Sequence, residues 1–353
     1  MNTQRYSRQT AIPTFGIEGQ QRLQDSRILV IGAGGLGSPA LLYLAAAGVG
    51  TLGLVETDVV DVSNLQRQIL YTTPEIGQSK LVLAEARLRA LNPNVHINTY
   101  PTRFQAGNAL EIAADYHLIL DATDNLATRY LVNDVCAILG LPWVYGAIYR
   151  FEGQVAVFNH QRGIDYRDLF PTPPPPELTP NCATAGVLGV MAGIIGTMQA
   201  TEAIKVVANL GNPLDGELLL VDALTQEYRK IRIPKQLNRP VIDELMDYEA
   251  FCGLTTDEIS WETYAKHPSH YILIDVREIW EHEEEHIGGL SIPMDELQDR
   301  LHEIPKDQPL VLHCLGGSRS QIAASSLRKN RPNQAIFSLQ NGLRDVPEEA
   351  FIR

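Results

Sequence analysis

The stretch ILVIGAGGLGSPALLYLAAAGVGTLGLVETD, residues 28–58, leaves this chain few folds to choose from. An apolar run meets a turn holding Gly32, Gly34, Gly35 and Gly37, an apolar helix-like segment follows, and a second apolar run ends on Glu56. Strand, glycine turn, helix, strand is half of a nucleotide-binding βαβ unit. The helix N-terminus offers unsatisfied N–H groups to phosphate, and glycines let the backbone come close to it. The pattern alone does not choose the nucleotide, because a dehydrogenase uses the same turn for a dinucleotide pyrophosphate and the same acid for a ribose.

Alternation of the same kind continues to about residue 233. Strands are predicted at 95–100, 117–121, 143–148, 154–158 and 217–221, and helices at 80–91, 125–139 and 187–208. Such alternation predicts an α/β fold, a Rossmann-like, mostly parallel sheet with helices on both faces. Residues 160–180 break it with a proline-rich loop that holds four consecutive prolines, which exclude helix and sheet. After 233 the chain turns polar. A second alternating unit then carries apolar runs at 271–276, 288–293, 309–314 and 334–339. The reading is therefore a nucleotide-binding domain over 1–233, a linker over 234–258 and a small α/β domain over 259–353, with no internal repeat.

Composition narrows the function. The net charge of −13 argues against nucleic acid, since phosphate backbones need lysine and arginine in excess. Residues 183–200 carry no charge, but their Gly, Ala and Thr content and the charges that follow at once predict a buried or interface helix rather than a membrane span. The first 27 residues lack the apolar core of a signal peptide. Cysteines at 136, 182, 252 and 314 contain no CxxC pair, so reduced thiols in a cytoplasm are expected.

The segment DVSNLQRQILYTTPEIGQSK separates two chemistries. It places Arg67 and Lys80 soon after the ribose acid, with Asn64 and Gln68 as neutral donors. Hydride transfer needs no such cations. Cleavage of ATP between its α and β phosphates does, because charge develops on the departing pyrophosphate. Asp124, in LILDATDN at a strand's C-terminal end, is the candidate magnesium ligand. Singly, Arg67 reads equally well as a surface ion pair and Asp124 as a helix cap beside Asn125.

Together, RYSRQ, GAGGLGSP, SNLQRQ, GQSK, DATDN and NCATAGVLGV…IGTMQATEAIK resemble the MoeB/ThiF family, relatives of the ubiquitin-activating enzymes, over residues 4–233. The resemblance implies adenylation of the C-terminal Gly-Gly carboxylate of a small ubiquitin-like protein. It implies that Gly35, Glu56, Ser63, Asn64, Arg67, Lys80, Asp124 and Asn125 hold ATP and magnesium, and that Arg8 reaches across a homodimer into the partner's site. Glu56 departs from the family's usual Asp. Many members also hold a structural zinc with two CxxC pairs. Here Asp165 and Asp168 stand at the first place and Arg239 and Ile242 at the second, so no thiolate set remains and zinc is expected to be absent.

Two thiols carry candidate chemistry. Cys182 precedes the glycine-rich helix, where a helix N-terminus favours thiolate, and the family resemblance implies that it captures the activated acyl group. In LHCLGGSRSQ, Cys314 ends a strand and two glycines lead into a helix, so successive N–H groups form an anion nest. Cysteine-dependent phosphatases place five residues between Cys and Arg. Here four separate Cys314 from Arg319, and with LIDVRE, HIGGLSIP and LQNGLRDV the segment 259–348 resembles single-domain rhodaneses, which carry a persulfide. Leu315 stands where an Arg is frequent, and the usual terminal Trp is missing.

The combination predicts a cytoplasmic, homodimeric adenylyltransferase with sulfurtransferase activity. It would adenylate a sulfur-carrier protein and convert it to a thiocarboxylate with sulfur from thiosulfate or a cysteine desulfurase. Molybdopterin, thiamine, cysteine or thiolated-tRNA synthesis would take the product. Two other readings stay open: an NAD-dependent oxidoreductase with a C-terminal redox domain, and a non-enzymatic scaffold for a carrier protein.

Overall fold

The computed structural model describes residues 4–174, 186–237, 241–252, 257–331 and 334–352. Described residues through Pro173 and from 186 to Tyr248 form one compact unit, and those from Glu249 onward form a second.

The first unit is built on an eight-stranded sheet. Its strands are β1 (Arg27–Ile31), β2 (Thr51–Val55), β3 (His96–Tyr100), β4 (Leu118–Asp121), β5 (Trp143–Tyr149), β6 (Glu152–Phe158), β7 (Glu217–Asp222) and β8 (Glu227–Arg232), in spatial order β3-β2-β1-β4-β5-β6-β7-β8. The five from β3 to β5 run parallel, and β6, β7 and β8 follow antiparallel. β1 and β4 sit at the centre and are buried almost throughout, as parallel strands covered on both faces must be, which is why they read as unbroken apolar runs. β8 was not foreseen. All six of its residues are exposed and four of them are charged, a composition that protects a sheet edge from pairing with another chain.

The strand order reverses between β1 and β4, so a crevice opens beyond their C-terminal ends. Ala33 and Asp124 lie just past those ends, and Glu56 lies just past the end of the neighbouring β2. The helix Gly189–Ala208 is long and apolar enough to cross a membrane by length and composition, yet Met191, Ile195, Ala200 and Ala203 lie in the core of this unit. Gln199, in its middle, donates to the backbone carbonyl of Asp121 at 2.6 Å.

The second unit carries a five-stranded parallel sheet: β9 (Asp257–Ile259), β10 (Ile272–Asp275), β11 (Leu290–Ser291), β12 (Leu310–His313) and β13 (Ile336–Leu339), in order β11-β10-β12-β13-β9. β9 escaped the sequence reading because it has three residues, two of them acidic. β12 is central and wholly buried, and it delivers Cys314 to the C-terminal edge of the sheet.

Candidate active site

The glycine turn of the first unit is clamped from both sides. Gly32 adopts a φ of +94°, and a β-carbon on Gly37 would lie 2.1 Å from the Gly32 carbonyl oxygen, so neither tolerates a side chain. Between them, Ala33 donates its N–H to one Glu56 carboxylate oxygen at 2.9 Å. Its carbonyl accepts from the buried Tyr71 phenol, also at 2.9 Å. The other Glu56 oxygen accepts the N–H groups of Thr57 and Asp58, each at 2.8 Å. Burial, then the Glu56 and Asp58 carboxylates, push the Tyr71 phenol far above its usual range, so it stays a donor. Tyr71 was overlooked, although its place in RQILY, just after Arg67 and Gln68, is a local signal.

The next segment lays its polar side chains beside this turn. Asp61 caps the short 3-10 turn Val62–Asn64 by accepting the Ser63 N–H at 2.8 Å and hydroxyl at 2.6 Å, and Asn64 answers by accepting the Asp61 N–H at 3.4 Å. Arg67 donates to the Ser63 carbonyl at 2.9 Å, and its Cγ and Cδ lie 3.5 Å from where a Gly35 β-carbon would be. The Gln68 amide stands 3.5 Å from the corresponding point on Gly34. Lys80 opens the helix Lys80–Leu91, almost wholly buried, with Nζ 3.3 Å from the Asp58 carboxylate. Asp58 ties Lys80 to the strand end that carries Glu56.

From β4 comes a second rigid edge. Asp121 is fully buried and accepts the Thr123 N–H at 2.9 Å and hydroxyl at 2.7 Å. Burial raises its pKa against the pull of Arg129, whose guanidinium also donates to the Thr123 carbonyl at 3.3 Å. Thr123 N lies 3.7 Å from a β-carbon position on Gly32, so this segment abuts the turn. Of the two residues that follow, Asn125 is the N-cap of the helix Leu126–Leu139, accepting Thr128 N–H at 2.8 Å. Asp124 is exposed and takes no part in the cap. Arg8 lies apart, exposed on the short helix Ser7–Thr10, and no described contact joins it to the turn.

At the place of the family's first thiolate pair, Asp165 and Asp168 form a capping box around Tyr166–Leu169. One Asp168 oxygen accepts Asp165 N–H at 2.9 Å, while the other accepts Gln236 N–H, from beyond β8, at 2.8 Å. Arg167 is paired bidentately to buried Asp134 at 2.9 and 2.7 Å, and Tyr248 donates to the same carboxylate at 2.9 Å. Hydrogen bonds thus fasten the two segments that metal would join, and carboxylates so engaged do not fit a tetrahedral zinc site. Arg239 lies outside the described residues, as does Cys182.

In the second unit, Cys314 is buried and its Sγ accepts the Gly317 N–H at 3.2 Å, with the Ser320 hydroxyl at 3.7 Å. The helix Ser318–Asn330 starts at once after this loop. Arg319 turns toward Glu281, pairing with it at 2.6 and 2.8 Å. Burial opposes ionisation of Glu281, but the Arg319 guanidinium holds its pKa below the usual value. Behind Cys314, Asp275 of LIDVRE is buried and bonded to Arg277 and to His282. Burial raises its pKa, yet these partners and His313 bring it down to about 2. His313 is buried without a hydrogen bond to either ring nitrogen, and burial lowers its pKa to about 4.

Comparison with known proteins decides the family. Residues 6–241 match the ThiF family. The chain belongs to it. Residues 260–348 match the rhodanese-like domain. A relative described as a probable adenylyltransferase/sulfurtransferase MoeZ, from Mycobacterium tuberculosis, is 44% identical over 96% of this chain and 91% of its own length. The adenylyltransferase and sulfurtransferase MOCS3 of Drosophila sechellia is 42% identical over 96% and 82%. The sulfur carrier protein adenylyltransferase of Thermus thermophilus is 52% identical over 71% and 96%. Among solved structures, Escherichia coli MccB with MccA-N7isoASN overlays with a TM-score of 0.60 at 16% identity, covering 69% of this chain and 75% of that one. That likeness concerns the fold.

Proposed function

We propose that this ThiF-family enzyme uses ATP to adenylate the C-terminal Gly-Gly of a ubiquitin-like sulfur-carrier protein, then replaces the adenylate with sulfur held as a persulfide on Cys314. One observation carries the reading: relatives described as both adenylyltransferase and sulfurtransferase align along 96% of the chain, through both units.

The local chemistry agrees. The clamped turn offers N–H groups to phosphate, Arg67 lies against Gly35, and Lys80 is held nearby by Asp58. In this reading Arg67 and Lys80 stabilise charge on the departing pyrophosphate, Glu56 reaches the ribose, and Ser63 and Asn64 donate to the nucleotide. Asp124, a carboxylate with no described hydrogen bond at a strand's C-terminal end, suits a hard cation. It would hold magnesium, which neutralises phosphate charge. Arg8, exposed and outside the turn's contacts, would complete the site of a second subunit in a homodimer. Asn125 keeps its role as helix cap and orients Asp124. Cys182 would receive the acyl group, and Arg319, fixed by Glu281, would stiffen the Cys314 loop. Thiosulfate or a desulfurase persulfide would supply sulfur, in a cytoplasm that keeps thiols reduced.

The test separates the half-reactions. Cys314→Ala should retain carrier-dependent exchange of labelled pyrophosphate into ATP but yield no thiocarboxylate, which mass spectrometry sees as a carrier about 16 Da heavier than the acid, sulfur having replaced oxygen. Full thiocarboxylate yield from this variant with thiosulfate as sole donor would refute sulfur transfer through Cys314. Absence of exchange in the wild type, tried against each Gly-Gly carrier of the source genome, would refute adenylation and favour a scaffold.

A further inference from the structure

The β5–β6 hairpin stands beside the nucleotide crevice and rises past it. β5 pairs with β4 at Ile119–Trp143 and Leu120–Val144, so Asp121 is level with Tyr145. β5 runs on to Tyr149, which carries the hairpin about 13 Å beyond the end of β4 at roughly 3.3 Å per residue. Arg150 and Phe151 form its two-residue tip, closed by the Tyr149–Glu152 pair. Arg150 holds a φ of +52°, a region that suits Gly or Asn, and three of the other four described non-glycine residues with positive φ are Asn. Its backbone is pinned there. Arg150 N–H donates to the Gly186 carbonyl at 3.3 Å, and its own carbonyl accepts the Leu188 N–H at 2.9 Å. A β-carbon on the next residue, Gly189, would lie 2.1 Å from the carbonyl oxygen of Gln66. Gln66 precedes Arg67, which lies against Gly35, so contacts run unbroken from Arg150 to the nucleotide turn.

The Arg150 side chain is exposed, with its guanidinium over the Tyr149 ring at 5.1 Å from the centroid. Among the described residues none forms a hydrogen bond or ion pair with it. Tyr149, Phe151, Leu188 and Leu224 are exposed around it. Leu224 belongs to the β7–β8 turn, where Ala223 N–H donates to the Phe151 carbonyl at 2.9 Å. A strained position that keeps a charged side chain, unpaired and set among exposed apolar groups, points to a partner outside the chain.

We propose that Arg150 is a substrate-recognition residue for adenylation. It pairs with a carboxylate at the neck of the carrier protein, where the extended C-terminal tail leaves the folded body, and the four apolar side chains receive the apolar surface of that body. The inference rests on the adenylation reading above and names the part of the substrate that is read. Position decides the occupant. The terminal carboxylate of the carrier must reach the nucleotide in the crevice, and an extended chain covers about 13 Å in four residues. Residues about four from the C-terminus, upstream of the Gly-Gly, therefore come level with the hairpin tip. Arg150 tests the neck of the substrate and takes no part in bond making at its reacting end.

The experiment is carrier-dependent exchange of labelled pyrophosphate into ATP by the full chain, using the Gly-Gly carrier of the source genome that supports it, with KM measured separately for carrier and ATP. Arg150→Ala should raise the KM for the carrier roughly tenfold, the effect of losing one charge-assisted contact, and leave kcat and the KM for ATP unchanged. Arg150→Glu should raise it further, and Arg150→Lys should recover part of the loss. Arg150→Gly removes the strain along with the charge. It should melt at or above the wild-type Tm yet show the same rise in KM for the carrier, a split that a merely structural role for the turn does not produce. A wild-type KM for the carrier in folded Arg150→Gly, or an equal rise in the KM for ATP, would overturn the inference alone. Failure of the wild type to catalyse exchange with any carrier would overturn the adenylation reading and the inference with it.

Discussion

Glu56 reaches the glycine turn through hydrogen bonds that only a carboxylate can make, so Glu56→Gln is the sharpest perturbation of the nucleotide site. Its two oxygens accept three backbone N–H groups, from Ala33 on one side and from Thr57 and Asp58 on the other. An amide has one acceptor oxygen. Whichever way it turns, its NH2 faces a backbone donor, and either Ala33 or the 57–58 pair loses its partner. A hydrogen bond to a charged group contributes about 1.5–3 kcal/mol, and for a half-buried carboxylate the lower end applies. If the loss falls on the order of the turn, about 1.5 kcal/mol weakens nucleotide binding roughly tenfold. Titration calorimetry with a non-hydrolysable ATP analogue measures this, alongside a thermal melt to show that the variant is folded. Glu56→Asp keeps the charge on a shorter arm and should fall between the two. Affinity within twofold of wild type in folded Glu56→Gln would refute the argument that this clamp shapes the site.

Four further outcomes are expected. Asp124→Ala should abolish carrier-dependent pyrophosphate exchange with little change in melting temperature, because Asp124 is exposed and caps nothing; near-normal exchange would remove it from the site. Purified protein should contain no stoichiometric zinc by elemental analysis and should melt unchanged in chelator, while Asp134→Ala should cost about 3 kcal/mol by removing the buried carboxylate that pairs with half-buried Arg167; one zinc per chain would overturn the first claim and a loss below about 1 kcal/mol the second. His313 is held neutral by burial with a pKa of about 4 against an ordinary 6.5. The unfolded chain therefore binds more protons between those values, and stability, complete above about pH 6.5, falls on acidification toward 4. From pH 7 to 5 the second unit should lose about 2 kcal/mol, read as the urea midpoint for alkylation of Cys314, and an unchanged midpoint would refute it.

The fold was legible wherever burial follows a local rule. Central strands such as Arg27–Ile31 and Leu310–His313 are covered on both faces and announce themselves as apolar runs. The helix Gly189–Ala208 announced itself by the uncharged run that reaches residue 200. Strands Glu227–Arg232 and Asp257–Ile259 did not, because an exposed charged edge and a three-residue strand have no period to read. Several site residues were equally visible: a glycine turn between strand and helix, the cations after it, and a cysteine ahead of a glycine pair are contiguous patterns. Tyr71, Asp58 and Glu281 were missed, since each matters through a partner that sequence spacing does not reveal.

By itself the sequence determined the elements, the nucleotide turn and the thiol at the end of a strand, because backbone conformation at glycines and the period of apolar residues are set within a few positions. Only the tertiary structure decided which groups meet. Tyr71 finds the Ala33 carbonyl 38 residues away, Tyr248 finds Asp134 across 114, and Arg319 finds Glu281 across 38. Such pairings depend on the order of strands in a sheet and the paths of the loops between them. A hydrogen bond responds to distance in space, and the chain encodes that distance only after it has folded.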